Sequence, residues 1–239
     1  MIARASLGGG HPPGVKREVL FDRLQRAFRR YGVRGALRVA WLRIWGHVAL
    51  SESHVWYELD PVGARPQRSL PQNLTLRRGD EPDLPLLDEL PTVSPVEARV
   101  RIRDGNDLWL VLEDGRPLFS CWIFRRLTPV IAAPGGQLQL QAGTVCLEDS
   151  VTAAPARGRG IGPAAWSAIA DALADEGQRH IITKVAVDNA PSRRAVEKAG
   201  FDAVALMHFR RIGPRSRTRV EVLDGNRGSF IAESLGAAR

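Results

Sequence analysis

The sequence predicts an α/β fold: a mixed, mostly antiparallel sheet carrying helices, preceded by a basic helical extension. Three observations predict it. Strand-like and helix-like apolar runs follow one another as strand, two helices, three strands, then strand–helix–strand units, an order that gives a mixed sheet. Residues 1–46 hold ten of the 34 basic residues and only two of the 26 acidic ones, so the other 193 residues hold 24 of each sign and are neutral. Finally, "APARGRGIGPAAWSAIADAL", from Ala154 to Leu173, sets three glycines and two arginines directly ahead of an apolar-periodic helix.

Each element has a local reason. From Arg17 to Tyr31, Leu20, Leu24, Phe28 and Tyr31 recur at helical spacing, and Gly32 and Gly35 interrupt the pattern. A second helical segment carries Leu37, Trp41 and Ile44 on one face. "HVALSESHVWYELD" reads as extended or hairpin-like, and the Pro-rich "PVGARPQRSLPQN" reads as a linker. The boundary is therefore set near Leu70, giving an extension over residues 1–70 and a domain over 71–239. In the domain, "LTLRRGD" is a short strand, Pro82 and Asp83 open a helix, and a second helix spans about Ser94 to Ile102. "LWLVLE", "RPLFSCWIF" and "QLQLQAGTVCLEDSV" are strand candidates separated by Asp-Gly and Pro-Gly turns. A helix from about Gly160 to Glu176 stops at Gly177, in the usual place for a C-terminal glycine. "HIITKVAV", the helix "PSRRAVEKA", and the strands "FDAVALMHFRRI" and "TRVEVL" complete the order before a polar tail.

Composition excludes several classes. No run of about eighteen uncharged apolar residues is present, so no spanning helix is expected. The start, "MIARASLGGGHPPG", lacks the apolar block of a signal peptide and reads as an unstructured lead-in. Cys121 and Cys146 sit in apolar strand runs and are expected as free core thiols, which fits a cytoplasmic compartment. No metal site is expected.

The glycine–arginine turn carries the most chemistry. Glycine lets backbone approach a ligand and adopt positive φ. A helix N-terminus adds unpaired N–H groups and the positive end of the macrodipole, and phosphate is the usual occupant of such a site. Pro163 suits the first helical turn. The plain alternative is a tight strand-to-helix turn with two solvated arginines. A P-loop would need Gly-Lys-Ser/Thr, and a dinucleotide fingerprint would need glycine where Pro163 stands.

Arg157-Gly158-Arg159-Gly160-Ile161-Gly162 resembles the Q/R-x-x-G-x-G/A signature of the GCN5-related N-acetyltransferase (GNAT) superfamily. "DNAPSRRAVEKAGF", from Asp188 to Phe201, is similar to its Asn-x-x-Ser…Lys-x-Gly-Phe segment, and "LRRGDEPDLPLLDEL" and "LVLEDGRPL" look like its first strand and helix and its second hairpin. The resemblance covers residues 71–213 and implies a sheet whose central strands splay apart around acetyl-coenzyme A (acetyl-CoA). It further implies that Val151 and Ala153 bond the pantetheine through their backbones. Arg157, Gly158, Arg159, Gly160, Ile161 and Gly162 would hold the pyrophosphate, and Asn189 and Ser192 would face the pantetheine. Asn189 and Ser192 also suit a helix N-cap, and the two roles can coexist.

The implied reaction is transfer of an acetyl group to a primary amine of a small molecule, amino sugar or peptide. The amine must lose a proton, and Glu148 and Asp149 precede the pantetheine contacts. Adjacent strand residues point to opposite faces, so only one is expected in the cleft. By resemblance to diamine acetyltransferases, Glu148 is the base; otherwise both acids are solvated or ion-paired. The chain departs from the family where many members carry a thiolate-protonating tyrosine, here Val196, and where some carry a glutamate, here Lys184. His208 is the nearest alternative acid, and Tyr31 and Tyr57 both fall in the extension. An acyl-CoA-binding sensor without catalysis is the rival reading.

Arg23, Arg26, Arg30, Arg34 and Arg38 recur every three or four residues beside the apolar stripe of the extension. That surface suits folding over the acceptor cleft as a lid, or peripheral contact with an anionic membrane. Nucleic acid is disfavoured, because Trp109 and Trp122 lie in strands and do not interleave with the basic stripe. A homodimer remains open.

Overall fold

The computed structural model describes residues 49–90 and 92–236. The helices expected within residues 17–46, with their basic stripe, lie outside the described residues. An eight-stranded sheet organises the rest: β1 (Ala49–Leu59), β2 (Leu74–Gly79), β3 (Asp107–Glu113), β4 (Arg116–Phe124), β7 (Thr144–Thr152), β8 (His180–Ala186), β9 (Asp202–Ile212) and β10 (Arg215–Val222). Their order is β10-β9-β1-β8-β7-β4-β3-β2. Every pair is antiparallel except β7 with β8. A separate two-stranded ribbon joins β5 (Leu127–Pro129) to β6 (Gln137–Gln139).

The expected boundary near Leu70 does not hold. β1 comes from the segment assigned to the extension, yet it lies between β8 and β9, and the chain divides near residue 44 instead. The near-continuous run "VWYEL" is buried on both faces of this strand, with Trp56, Tyr57 and Leu59 each at most 2% exposed. The Pro-rich segment after it is bound to the body as well. Arg65, buried, pairs with Asp171 and donates to Ser167 Oγ at 3.1 Å, while Arg68 Nε donates to the Lys198 carbonyl at 3.0 Å.

Helices cover the two sheet faces. On one face lie α2 (Ile161–Asp175) and α3 (Ala190–Lys198), packing Ile161, Trp166, Ile169 and Val196 onto Val145, Leu147 and Tyr57. The other face carries α1 (Pro95–Arg103), the 3-10 helix Glu81–Glu89, the β5–β6 ribbon and α4 (Gly225–Ser234), around Trp56, Trp122, Leu138 and Cys146. Ser94 caps α1 by accepting from Glu97 N at 3.1 Å.

Three elements differ from expectation. The helix opened by Pro82 is 3-10, because Pro85 inside it lacks an N–H and disfavours the α-form. "QLQLQAGTVCLEDSV" is two strands, broken by a turn in which Gly143 has φ 75°. The expected polar tail contains α4, whose Ile231 and Leu235 recur at i, i+4 and bury against the second core. Cys121 and Cys146 are free and buried, as their apolar context predicts.

Candidate active site

The parallel pairing of β7 with β8 spans only Thr144–His180, Val145–Ile181 and Cys146–Ile182. Beyond it the strands part, and Thr183 Oγ1 closes the apex by donating to the Leu147 carbonyl at 2.7 Å. A bulge in β7 accompanies the parting. Trp122 of β4 faces Glu148 and Ser120 faces Val151, so β7 holds one extra residue there. Asp149 lies in that stretch at φ 48°, a left-handed conformation that aspartate tolerates better than most residues.

The bulge and register fix which way the backbone of Val151, Thr152 and Ala153 turns. Ala153 N–H donates to the Leu118 carbonyl of β4 at 2.8 Å. Backbone groups alternate sides along an antiparallel strand, so Val151 also turns toward β4 and Thr152 turns toward the gap. Thr152 therefore lies on the open edge of β7, between Val151 and Ala153.

The glycine–arginine turn follows β7 directly. Gly158 and Gly160 have φ 80° and 76°, and Gly160 is the left-handed N-cap of α2. A Cβ on either would meet nothing within 4 Å, so the backbone conformation is what selects glycine there. Gly162 is helical, with ordinary room toward Phe119. Ile161 is buried and anchors the helix start. Arg157 Nε donates to the Thr152 carbonyl at 3.3 Å, and Arg159 pairs with Glu113 at 2.8 Å. Asn189 and Ser192 follow β8, on the other side of the gap, where Asn189 Oδ1 caps α3 by accepting from Ser192 N at 3.2 Å.

Both acids have cationic partners. Glu148 forms an ion pair with Lys184 and accepts from Thr128 Oγ1 and Cys146 Sγ, each at 3.3 Å. Lys184 Nζ also donates to the Pro129 carbonyl at 3.1 Å and lies 5.7 Å from the Trp56 ring centroid. Asp149 pairs with Arg101 at 2.7 Å, and Arg101 stacks over Trp122 and Phe124. The expectation that the two acids part to opposite faces fails, because the bulge lets Asp149 meet Arg101 on the face that holds Glu148. All three donors on Glu148 converge on its Oε1.

Two of the alternatives to these acids are placed elsewhere. His208 is exposed on the α2–α3 face, with its Nδ1 2.7 Å from Ser53 Oγ. Tyr57 OH donates to Glu197 of α3 at 3.0 Å. Burial raises the Tyr57 pKa, so the phenol stays protonated. His54, which the sequence offers no reason to single out, joins Lys184 and Glu148 on their face. It precedes Trp56 by two residues on β1 and pairs with Ala186 of β8. Its Nδ1 is buried without a hydrogen-bond partner. Only the sheet order could have found it.

A family model described as "Acetyltransferase (GNAT) family" matches residues 75–201, more than half of the chain. The chain belongs to the GNAT family. Solved structures agree in fold. A GCN5-related N-acetyltransferase from Sphaerobacter thermophilus is 17% identical with TM-score 0.51, over 77% of this chain and 57% of that one. A Drosophila protein is 15% identical with TM-score 0.51, over 76% and 58% respectively. The chain thus spans under two-thirds of the length of either structure. No curated protein matches. The GNAT match omits β1, so His54 and Trp56 enter the site from outside it.

Proposed function

We propose that this GNAT chain transfers an acetyl group from acetyl-CoA to a primary amine. The observation that carries the reading is the three-pair β7–β8 ladder opening beside a left-handed glycine turn. The residues present fit the coenzyme. Thr152 turns its backbone N–H toward the gap, where an amide-bearing arm could meet it, and Gly158 and Gly160 leave open space where phosphate must approach. Arg157 and Arg159 add positive charge, and Asn189 and Ser192 border the gap from β8. Acetyl-CoA supplies the activated thioester.

The acceptor amine enters from the face bearing Glu148, Lys184, Trp56 and Trp122. Glu148 and Asp149, each tied to a cation, hold the charge balance of that face and orient the incoming ammonium. Val196 offers no proton, so the leaving thiolate departs as the anion or is protonated by water.

The test is thiol release from acetyl-CoA across a panel of amino sugars, polyamines and peptides with free amines. Turnover of any member supports transfer. Acetyl-CoA binding with no turnover would leave a coenzyme-binding sensor.

A further inference from the structure

We propose that His54, supplied by β1 from outside the family-matched residues, is the base that takes the acceptor amine's proton; this rests on the transfer reading above. Placement comes first. His54 pairs with Ala186, two residues past Lys184 on β8 and toward the end where the β7–β8 gap is widest. Its neighbour across the β1–β8 ladder, on the side of the gap, is the methyl side chain of Ala186, and across the β1–β9 ladder it is Met207. Trp56 packs against Lys184 on the same face, one pleat nearer the apex.

Availability comes second. Glu148 is engaged by Lys184, Thr128 and Cys146, and Asp149 by Arg101. His54 is the titratable group on this face whose buried ring nitrogen has no partner. The charged groups that face it are Glu52 from its own strand, Lys184 from β8, Glu148 from β7 and Asp188 just past β8. Burial lowers its proton affinity and Lys184 adds to that, while the three acids oppose without overcoming it. The ring is therefore held below its ordinary value of 6.5 and is neutral at pH 7. A neutral imidazole beside the cleft accepts a proton directly or through one water.

In the proposed step an N–H bond of the acceptor's ammonium breaks and an N–H bond forms on the imidazole. The freed nitrogen pair then forms the C–N bond to the acetyl carbon as the C–S bond of acetyl-CoA breaks. The imidazolium afterwards releases its proton to water.

The test uses the full chain, acetyl-CoA and an amine that the wild type turns over. Measured at saturating amine, kcat should rise with pH along a limb centred below pH 6.5 and level off above it. His54→Gln should lower the plateau by roughly 10²–10⁴-fold and abolish that limb, with acetyl-CoA affinity by calorimetry unchanged. Glu148→Gln should keep the limb. A His54→Gln enzyme with the wild-type plateau and limb overturns the assignment. If His54→Gln does not fold, His54→Asn takes its place, and the wild-type plateau and limb in that variant overturn the assignment. Failure of the wild type to acetylate any amine while it binds acetyl-CoA defeats the transfer reading instead, a distinct result.

Discussion

Glu148 and Lys184 meet across the opening between β7 and β8, just past the last paired residues of the two strands. Their side chains are only 13% and 15% exposed. Burial alone would lower the lysine pKa, but the Glu148 charge outweighs it and holds Lys184 above its ordinary value. Lys184 thus stays charged, and each partner depends on the other for its burial.

Removing one partner should therefore cost more than removing both. Lys184→Met leaves a buried, uncompensated carboxylate and should destabilise the protein by about 3–5 kcal/mol. The double variant with Glu148→Gln should recover most of that loss. Urea unfolding of the two single variants and the double variant measures the coupling. Additive losses would show that the pair contributes nothing of its own.

Gly160 tests the coenzyme turn. Its φ of 76° and the empty space around its missing Cβ make conformation, not crowding, the constraint. Gly160→Val should cost about 1–2 kcal/mol in stability and weaken acetyl-CoA binding by at least tenfold, because the turn shifts away from the left-handed form. Gly160→Asn should lose less on both counts, since asparagine tolerates that region. Calorimetry on folded variants decides it, and equal affinity for all three proteins would remove phosphate binding from this turn.

Asp83 provides a pH signature remote from the cleft. Arg77 donates to both its oxygens at 2.6 Å, Asp80 N donates to it at 3.1 Å, and its pKa falls from 3.8 to about 2. A depressed carboxyl contributes stability that is complete above the unfolded value and is lost as pH falls through the folded one. That window runs from pH 3.8 down to about 2. Asp83→Asn should destabilise the protein by about 1–3 kcal/mol at pH 7 and much less at pH 2. Denaturant midpoints at the two pH values measure the difference, and a constant gap would exclude the pair as its source.

Truncation separates β1 from the residues before it. Deleting residues 1–70 removes the strand between β8 and β9, with Trp56, Tyr57 and Leu59 from the two cores. Loss of a single core aromatic costs about 3–5 kcal/mol, so this protein should show no cooperative unfolding transition. Deleting only residues 1–44 leaves β1 in place and should retain one. Thermal melts followed by circular dichroism compare the two. A folded 71–239 fragment would contradict the sheet order.

Local chemistry made the glycine–arginine turn legible. Positive φ at Gly158 and Gly160 and a proline in the first turn of α2 are requirements of single residues and their chain neighbours, so the sequence carries them openly. The continuous apolar runs of β3 and β4, the cap at Ser94 and the burial of both cysteines are local in the same sense. The face bearing Glu148 and Lys184 was not legible, because its contacts join segments remote in sequence. Glu148 meets Lys184 across 36 residues, and His54 reaches this face only because β1 inserts between β8 and β9. The opposite-face rule for Glu148 and Asp149 gave way to a bulge defined by pairing with β4. Likewise Thr152 faces the gap because the β4 register turns the N–H groups of Val151 and Ala153 toward β4. The sequence determined which backbone conformations and buried faces were available; strand order and register, which are set by packing the whole sheet at once, decided which side chains share the site.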